Sequence, residues 1–445
     1  MATNGPKVDV VVVDNYTTVV ASQFNIKRNA EKIYFSGNNQ NFELFIADIE
    51  KFIGHAVHPL VMDLYRIAAT VYICDLRIKR QEKFPTRSIS ILISVSDKSK
   101  WDSEKQHLES TLRFLSGDIF TFHFIQGART TEEFKFKEAN KKVVSLLSGG
   151  LDSLAGVKWL TDKGVETILV SHCANNKICH AQTTIYSALT KIFGSNLKFF
   201  QVKARVKPGS GFNMIEFSQA NRSFLYLSMA CLFGLEIGTP TVYMFENGIL
   251  ALNIPIVPSR IFRNTKTAHP KFLKNYNILI HDIFPNSVHV ENPFILMTKG
   301  EVVKLLDDNN FRNLIKETIT CSYTDRLRWR GVANSNHCGI CLPCVLRRAA
   351  IHHAGLWGFD DNYVDNIFGE FNSIPQDGRT LLFQLIEFGR ILQKNDEDII
   401  NDLPEFYVEE LDPSQLIAMT RRYIDELKIT VNDKGSVSLK NNLSI

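Results

Sequence analysis

"VVSLLSGGLDSLAGVKWL", Val143 to Leu160, is the stretch from which the rest of the chain is read. A short apolar run enters a glycine pair, an Asp and a Ser follow, and an apolar-periodic helix begins. Such a turn joins a buried strand to a helix. Gly149 and Gly150 let the backbone come close to a ligand and can take positive φ. The N–H groups of Leu151, Asp152 and Ser153 fall in the first helical turn, where no preceding carbonyl can accept them. They therefore face an anion site, helped by the helix dipole. Ser148 and Ser153 add hydroxyl donors. Asp152 would repel phosphate, so it either caps the helix or helps to hold Mg²⁺. No GK[ST] follows the glycines, which excludes a Walker A loop.

Outward from this turn, strands and helices alternate. "KVVSLL", "ETILVSH", "LKFFQVKA" and "TVYMFENG" read as strands, and helical patterns separate them. That alternation predicts an α/β fold with right-handed βαβ units and a doubly wound parallel sheet. Ligands bind such sheets outside the carboxyl ends of the strands. Ser148–Ser153, Ser171–Asn175, Lys203–Gly211 and Glu246–Asn253 would gather there, which adds Asn247 and Gly248 to the candidate nucleotide site. Arg222 opens an apolar helix aimed at the same place. Lys203, Arg205 and Lys207 either touch phosphates or are solvated.

The 445-residue length implies two or three domains. We divide the chain into an α+β extension over 1–140 that docks a partner, a nucleotide domain over 141–320, a cysteine segment over 321–359 and an acidic helical extension over 360–445. In the first unit "VDVVVVD" and "SISILISVSD" read as strands, a helical stretch breaks near Pro59, and "ARTTEEFKFKEANKK" reads as a linker. Between Asp360 and Asp412 there are 14 acidic and 3 basic residues against a net +4 for the whole, so the remainder carries +15 and suits anionic ligands. No basic arm with interleaved aromatics argues for nucleic acid. The start lacks a signal-peptide pattern, and the best apolar run, "SFLYLSMACLFGLEIG", is broken by Glu236; we expect a cytoplasmic protein without a membrane span.

Four of eight cysteines, Cys321, Cys338, Cys341 and Cys344, fall in a C-x16-C-x2-C-x2-C pattern. Soft thiolates so close together suit a closed, structural, tetrahedral Zn²⁺ site rather than disulfides, and iron–sulfur spacings differ. "HCANNKICH" offers either a second metal site or buried thiols near a sheet end.

The turn S-G-G-x-D-S resembles the PP-loop of the ATP pyrophosphatase superfamily, and with "HCGICLPCVLRR" it resembles the QueC family, the 7-cyano-7-deazaguanine synthases. The likeness covers about Lys141 to Gly355. It implies ATP cleavage to AMP and pyrophosphate, a deazaguanine-type substrate and structural zinc. It also implies catalytic roles for Ser148, Asp152, Ser153, Arg222 and Lys299, the last from "NPFILMTKGEVV". The family's Tyr-Gly-Gln after the second strand and its Pro-Asp-Cys-Arg run are missing; "CANNKICHAQ" and "ENGILALNIPIVPSR" stand in their place. QueC enzymes begin close to the loop. An extension on each side is similar to the QueC-like proteins of bacterial antiphage systems, such as the QatC type. That architecture implies conjugation of the nucleobase to a partner protein of the same defence operon. A biosynthetic nitrile synthase and an inactive scaffold are the rival readings.

Overall fold

The computed structural model describes residues 5–81, 86–129, 132–136, 142–173, 175–216, 220–253, 266–322, 335–403, 406–409 and 411–443. The first unit runs β1 (Lys7–Val12), α1 (Asn15–Val20), β2 (Asn25–Ile33), β3 (Phe42–Glu43), α2 (Ile46–Ile53), α3 (Pro59–Arg77), β4 (Ser88–Val95), α4 (Lys98–Ser103), α5 (Lys105–Ser116) and β5 (Ile119–Gln126). The central unit runs β6 (Val143–Leu146), α6 (Leu151–Asp162), β7 (Thr167–His172), α7 (Asn176–Phe193), β8 (Leu197–Val202), β9 (Arg205–Val206), α8 (Arg222–Ile237), β10 (Thr241–Tyr243), α9 (Gly248–Leu252), α10 (Pro270–Ile283), β11 (His289–Glu291) and α11 (Lys299–Lys304). Helices α12 (Leu342–His353), α13 (Gln376–Ile391), α14 (Asp396–Asp402), α15 (Pro413–Lys434) and α16 (Val437–Leu443) complete it.

The central sheet is parallel, in the order β11-β10-β6-β7-β8. Counted along the chain from β6, this is the doubly wound order 3-2-1-4-5, which reverses between β6 and β10. The turn after β6 and the turn after β10 therefore lie side by side at the switch point. Gly156 makes the close packing there feasible, because a Cβ on it would sit 2.0 Å from Cδ2 of Phe245 just beyond β10.

The first unit differs from the expected α+β arrangement. Its sheet, β2-β1-β4-β5, is parallel throughout, so it is a second α/β layer. Strand β2, "NIKRNAEKI", is a polar, lysine-bearing edge, which is how soluble sheets blunt an open edge and why its sequence lacks an apolar strand signature. The linker stretch lies partly outside the described residues.

The two α/β layers share one core. Helices α3 and α8 are apolar nearly all round and pack on each other, as helices enclosed on every side must. Their side chains belong to a single apolar cluster that runs from Val10 to Val290. Antiparallel β3–β9 adds a second join. At the seam Arg87 is held between Asp75 and Asp118, and Asp75 accepts the backbone N–H of Asn221 (2.5 Å) at the start of α8. No described helix is long and apolar enough to cross a membrane.

Candidate functional site

The turn after β6 closes on itself. Gly149 has φ +86° and Gly150 is the extended N-cap of α6. Ser148 Oγ accepts from Gly150 N–H (3.3 Å) and donates to Ser153 Oγ (3.1 Å), while Ser153 Oγ donates to Gly150 O (2.9 Å). The first intrahelical bond of α6 is Leu154 N–H to Gly150 O (3.1 Å), so the N–H groups of Leu151, Asp152 and Ser153 precede the ladder. Gln182 of α7, which sequence reading passed over, braces the turn: its Nε2 donates to Ser148 O (3.2 Å) and His172 O (3.1 Å). Gln201 Nε2 in turn donates to Gln182 Oε1 (2.9 Å), which fixes the amide's orientation.

Asp152 does not cap α6. Its carboxylate meets Lys299 Nζ at 2.8 and 3.0 Å and accepts from Asn247 Nδ2 (2.8 Å). Asn247 is also the N-cap of α9 and reaches Glu246 Oε1 (3.3 Å). Residues 147 positions apart are thus joined across the switch point. Burial alone would raise the Asp152 carboxyl, but the Lys299 ammonium, with hydrogen bonds from Glu246, Lys299 and Asn247, brings it below its ordinary value. Glu246 goes the other way: desolvation and the Asp152 charge push it well above its ordinary value against the pull of Lys299. Of the two neighbouring carboxyls, Asp152 is thus the one held toward the charged form and Glu246 the one held toward the protonated form. Sequence reading placed Glu246 at the strand end without a role; only the strand order brings it to Asp152.

Backbone N–H groups, two hydroxyls and an ammonium form a donor set suited to a polyphosphate. The Asp152 carboxylate, expected as a helix cap or a Mg²⁺ ligand, is engaged here by Lys299 and Asn247. Gly248 is enclosed: its N–H donates to Met297 O (3.0 Å), and a Cβ there would lie 2.3 Å from Ile295 O. Arg222 is exposed at the first position of α8, over the Tyr226 ring (5.6 Å), with no carboxylate partner among the described residues. Its charge, behind burial, helps to lower His172 to about 4. Arg205 instead pairs with Glu43 of the first unit (2.9 Å).

The four cysteines converge. Among the described residues they are the one group of metal-ligating side chains close enough to hold an ion, their sulfurs all within 4.8 Å of one another. Cys321–Cys341 and Cys338–Cys344 are 4.0 and 3.9 Å apart. Tetrahedral Zn–S bonds of about 2.3 Å require edges of about 3.8 Å, so the cluster fits zinc. Cys338 N–H and Cys341 N–H point at the sulfurs of Cys321 (3.4 Å) and Cys338 (3.3 Å), as donors to thiolates do. All four are buried, as the ligands of a closed four-thiolate site are. Ile319, two residues before Cys321, donates its N–H to Gly149 O (2.8 Å), and so the metal segment abuts the turn. In "HCANNKICH", Cys173 and Cys179 form a disulfide (Cα–Cα 4.9 Å) rather than a metal site or free thiols.

No curated protein matches the chain. Residues 263–355, which carry Lys299 and the four cysteines, match the family model described as queuosine biosynthesis protein QueC. The turn at Ser148–Ser153 lies outside that match and meets it through Lys299 and Ile319. Over this segment the chain is QueC-like, a similarity that supports an ATP-dependent, synthase-type function.

Proposed function

We propose that this chain is a PP-loop enzyme of QueC type that uses ATP to adenylate a 7-deazaguanine carboxylate and passes the acyl group to an amine of a partner protein in antiphage defence. The observation that supports it most is the contact between Asp152, at the head of the S-G-G-x-D-S turn, and Lys299, within the QueC-like segment. Two stretches that resemble one family separately are assembled into one site.

In this reading the substrate carboxylate attacks the α-phosphorus and pyrophosphate leaves. The amine then attacks the acyl carbon, AMP departs, and the amine loses a proton. The turn's N–H groups with Ser148 and Ser153 hold the departing phosphates, where preorganised donors are worth about 10²–10³-fold each. Lys299 supplies positive charge beside them, and Arg222, exposed at the strand ends, faces the anionic substrate. Mg²⁺ would come on the phosphate oxygens with its own waters rather than on carboxylates of this chain. An α-amino group suits the acceptor, because its reference pKa of about 7.7–8 leaves an appreciable unprotonated fraction where a lysine at about 10.4 leaves almost none.

The test incubates the protein with ATP, 7-carboxy-7-deazaguanine and the product of a neighbouring gene. AMP with pyrophosphate, and a deazaguanine mass increment on the partner's N-terminal residue, are expected. ADP release would refute the assignment. A free nitrile with an unmodified partner would make the chain a biosynthetic synthase.

A further inference from the structure

Lys299 is the first residue of α11, a short helix whose start is held from far away in the chain. Thr298 is its N-cap in a capping box with Glu301: Glu301 N–H donates to Thr298 Oγ1 (3.0 Å) and Thr298 N–H to Glu301 Oε2 (2.8 Å). Two further donors go to Glu426 on α15. The Thr298 hydroxyl donates to its Oε1, and Gly300 N–H donates to Oε2 (3.2 Å). Glu426 is buried, at 3% exposure, and so is Lys299, at 2%. A Cβ on Gly300 would stand 2.5 Å from Glu426 Oε1, so glycine at that position is what admits the carboxylate. One turn earlier on the same face of α15, Arg422 grips Glu301 (2.7 Å) and Leu296 O (3.0 Å).

We infer that Glu426 is a positioning residue for Lys299, and that the C-terminal helical unit is therefore a working part of the ATP site rather than an appendage. The peptide flanking Lys299 is clamped on both sides by one carboxylate, and the Lys299 ammonium then holds Asp152 at the head of the phosphate turn. The Lys299 stem is flexible in itself, but at 2% exposure it is packed on all sides, so a shift of its Cα leaves the ammonium little room to readjust. Burial raises Glu426 to about 7 against the bonds from Thr298 and Gly300; Glu301, Arg422 and His353 (3.7 Å) are the other charged groups facing it. The clamp is strongest with the carboxylate ionised, so it should tighten as pH rises through about 7.

The inference rests on the proposed ATP reading for its catalytic consequence but not for its structural one, and the experiment separates the two. Glu426→Gln, Gly300→Ala and, as a control on the exposed side of α15, Asp425→Ala are compared with the full chain. Hydrogen exchange is followed by mass spectrometry over residues 298–304 and 150–154. In Glu426→Gln and Gly300→Ala both segments should exchange faster, and adding Lys299→Met should abolish the effect at 150–154 but not at 298–304. AMP formation should fall about 10–10²-fold, the loss expected from a misplacement near 1 Å. The rise of wild-type activity across about pH 7 should be absent from Glu426→Gln. If the wild type forms no AMP, the ATP reading fails while the exchange test stands. Unchanged exchange at 150–154 in a folded Glu426→Gln or Gly300→Ala protein would overturn the inference.

Discussion

Lys299→Met probes the site most directly, because it removes an ammonium and keeps most of the stem. The pair it breaks is enclosed: side-chain exposures are 2% for Lys299 and 8% for Asp152, at 2.8 Å. Deleting one partner of a buried, hydrogen-bonded ion pair costs about 3–5 kcal/mol. Unfolding entropy of ~2.1 cal/mol/K per residue amounts to ~0.9 kcal/mol/K over 445 residues melting as one unit. The midpoint should therefore fall by about 3–5 °C at pH 8. The pH dependence carries a sign. In the wild type the Asp152 carboxyl is depressed, so its stabilisation is complete at neutral pH and is lost only as pH falls below the ordinary 3.8. Without Lys299, burial raises Asp152 together with Glu246, and the native state then binds a proton that the unfolded chain has released. The deficit should shrink on acidification, by at most ~1.4 kcal/mol per pH unit for one proton. Asp152→Asn combined with Lys299→Met leaves no unpaired charge and should recover most of the midpoint while staying inactive. Thermal melts of the three proteins at pH 5.5, 7 and 8.5, with AMP release in parallel, decide it. An unchanged Lys299→Met midpoint, or a double variant as unstable as the single, would refute the reasoning.

Cys341→Ser should give insoluble or zinc-free protein, since structural zinc supplies on the order of 10 kcal/mol of folding energy; stoichiometric metal by elemental analysis with unchanged stability would exclude the site. Glu246→Gln mimics the protonated acid. The folded carboxyl lies well above its ordinary 4.5, so the wild type loses stability as pH rises past that value, and the variant's advantage in melting midpoint should grow from pH 5.5 to 8.5. A chain starting at Lys142 should aggregate, because it strips α3 from the apolar face of α8; a soluble, monomeric product with native zinc content would show that the shared core is dispensable.

Most of the central sheet was legible because β6, β7 and β8 are apolar runs bounded by turns, and the S-G-G-x-D-S turn announces an anion site by donor type alone. Strand β11 was not, since three residues reading "HVE" with alternate exposure carry no periodicity. Nor was the parallel order of the first unit, where β2 is polar and strand pairing is a long-range property. The cysteine spacing disclosed a four-thiol cluster able to hold a metal because its ligands are local. Asp152 shows the limit: its residue type suited a cap or a metal ligand, and only the packing of α11, which follows β11, against α6 reveals an ion pair with Lys299. Glu426 left no local signal: the T-K-G-E stretch holds both members of the α11 capping box, Thr298 and Glu301, and nothing in it points to a third partner on α15.

The position of the turn, some 140 residues into the chain, takes on a physical meaning at the two helix starts near it. Asp75, from the first unit, accepts the Asn221 backbone and side chain immediately before Arg222. Glu426, from the last unit, accepts Thr298 and Gly300 on either side of Lys299. Each flanking unit thus puts a buried carboxylate at a helix N-terminus, where negative charge is favoured, and each helix begins with a candidate site cation. A peripheral module joined by a tether would transmit nothing to those cations. A carboxylate bonded to the adjoining peptide is a contact through which a shift of its own helix would reach them. Under the proposed function, a partner docked on either extension would reach the proposed ATP site through α3 or α15 without entering it, and the two routes are separable, because Asp75→Asn would act at Arg222 and Glu426→Gln at Lys299. Partner-dependent AMP formation that survives in one variant and is lost in the other would identify the extension through which the partner acts.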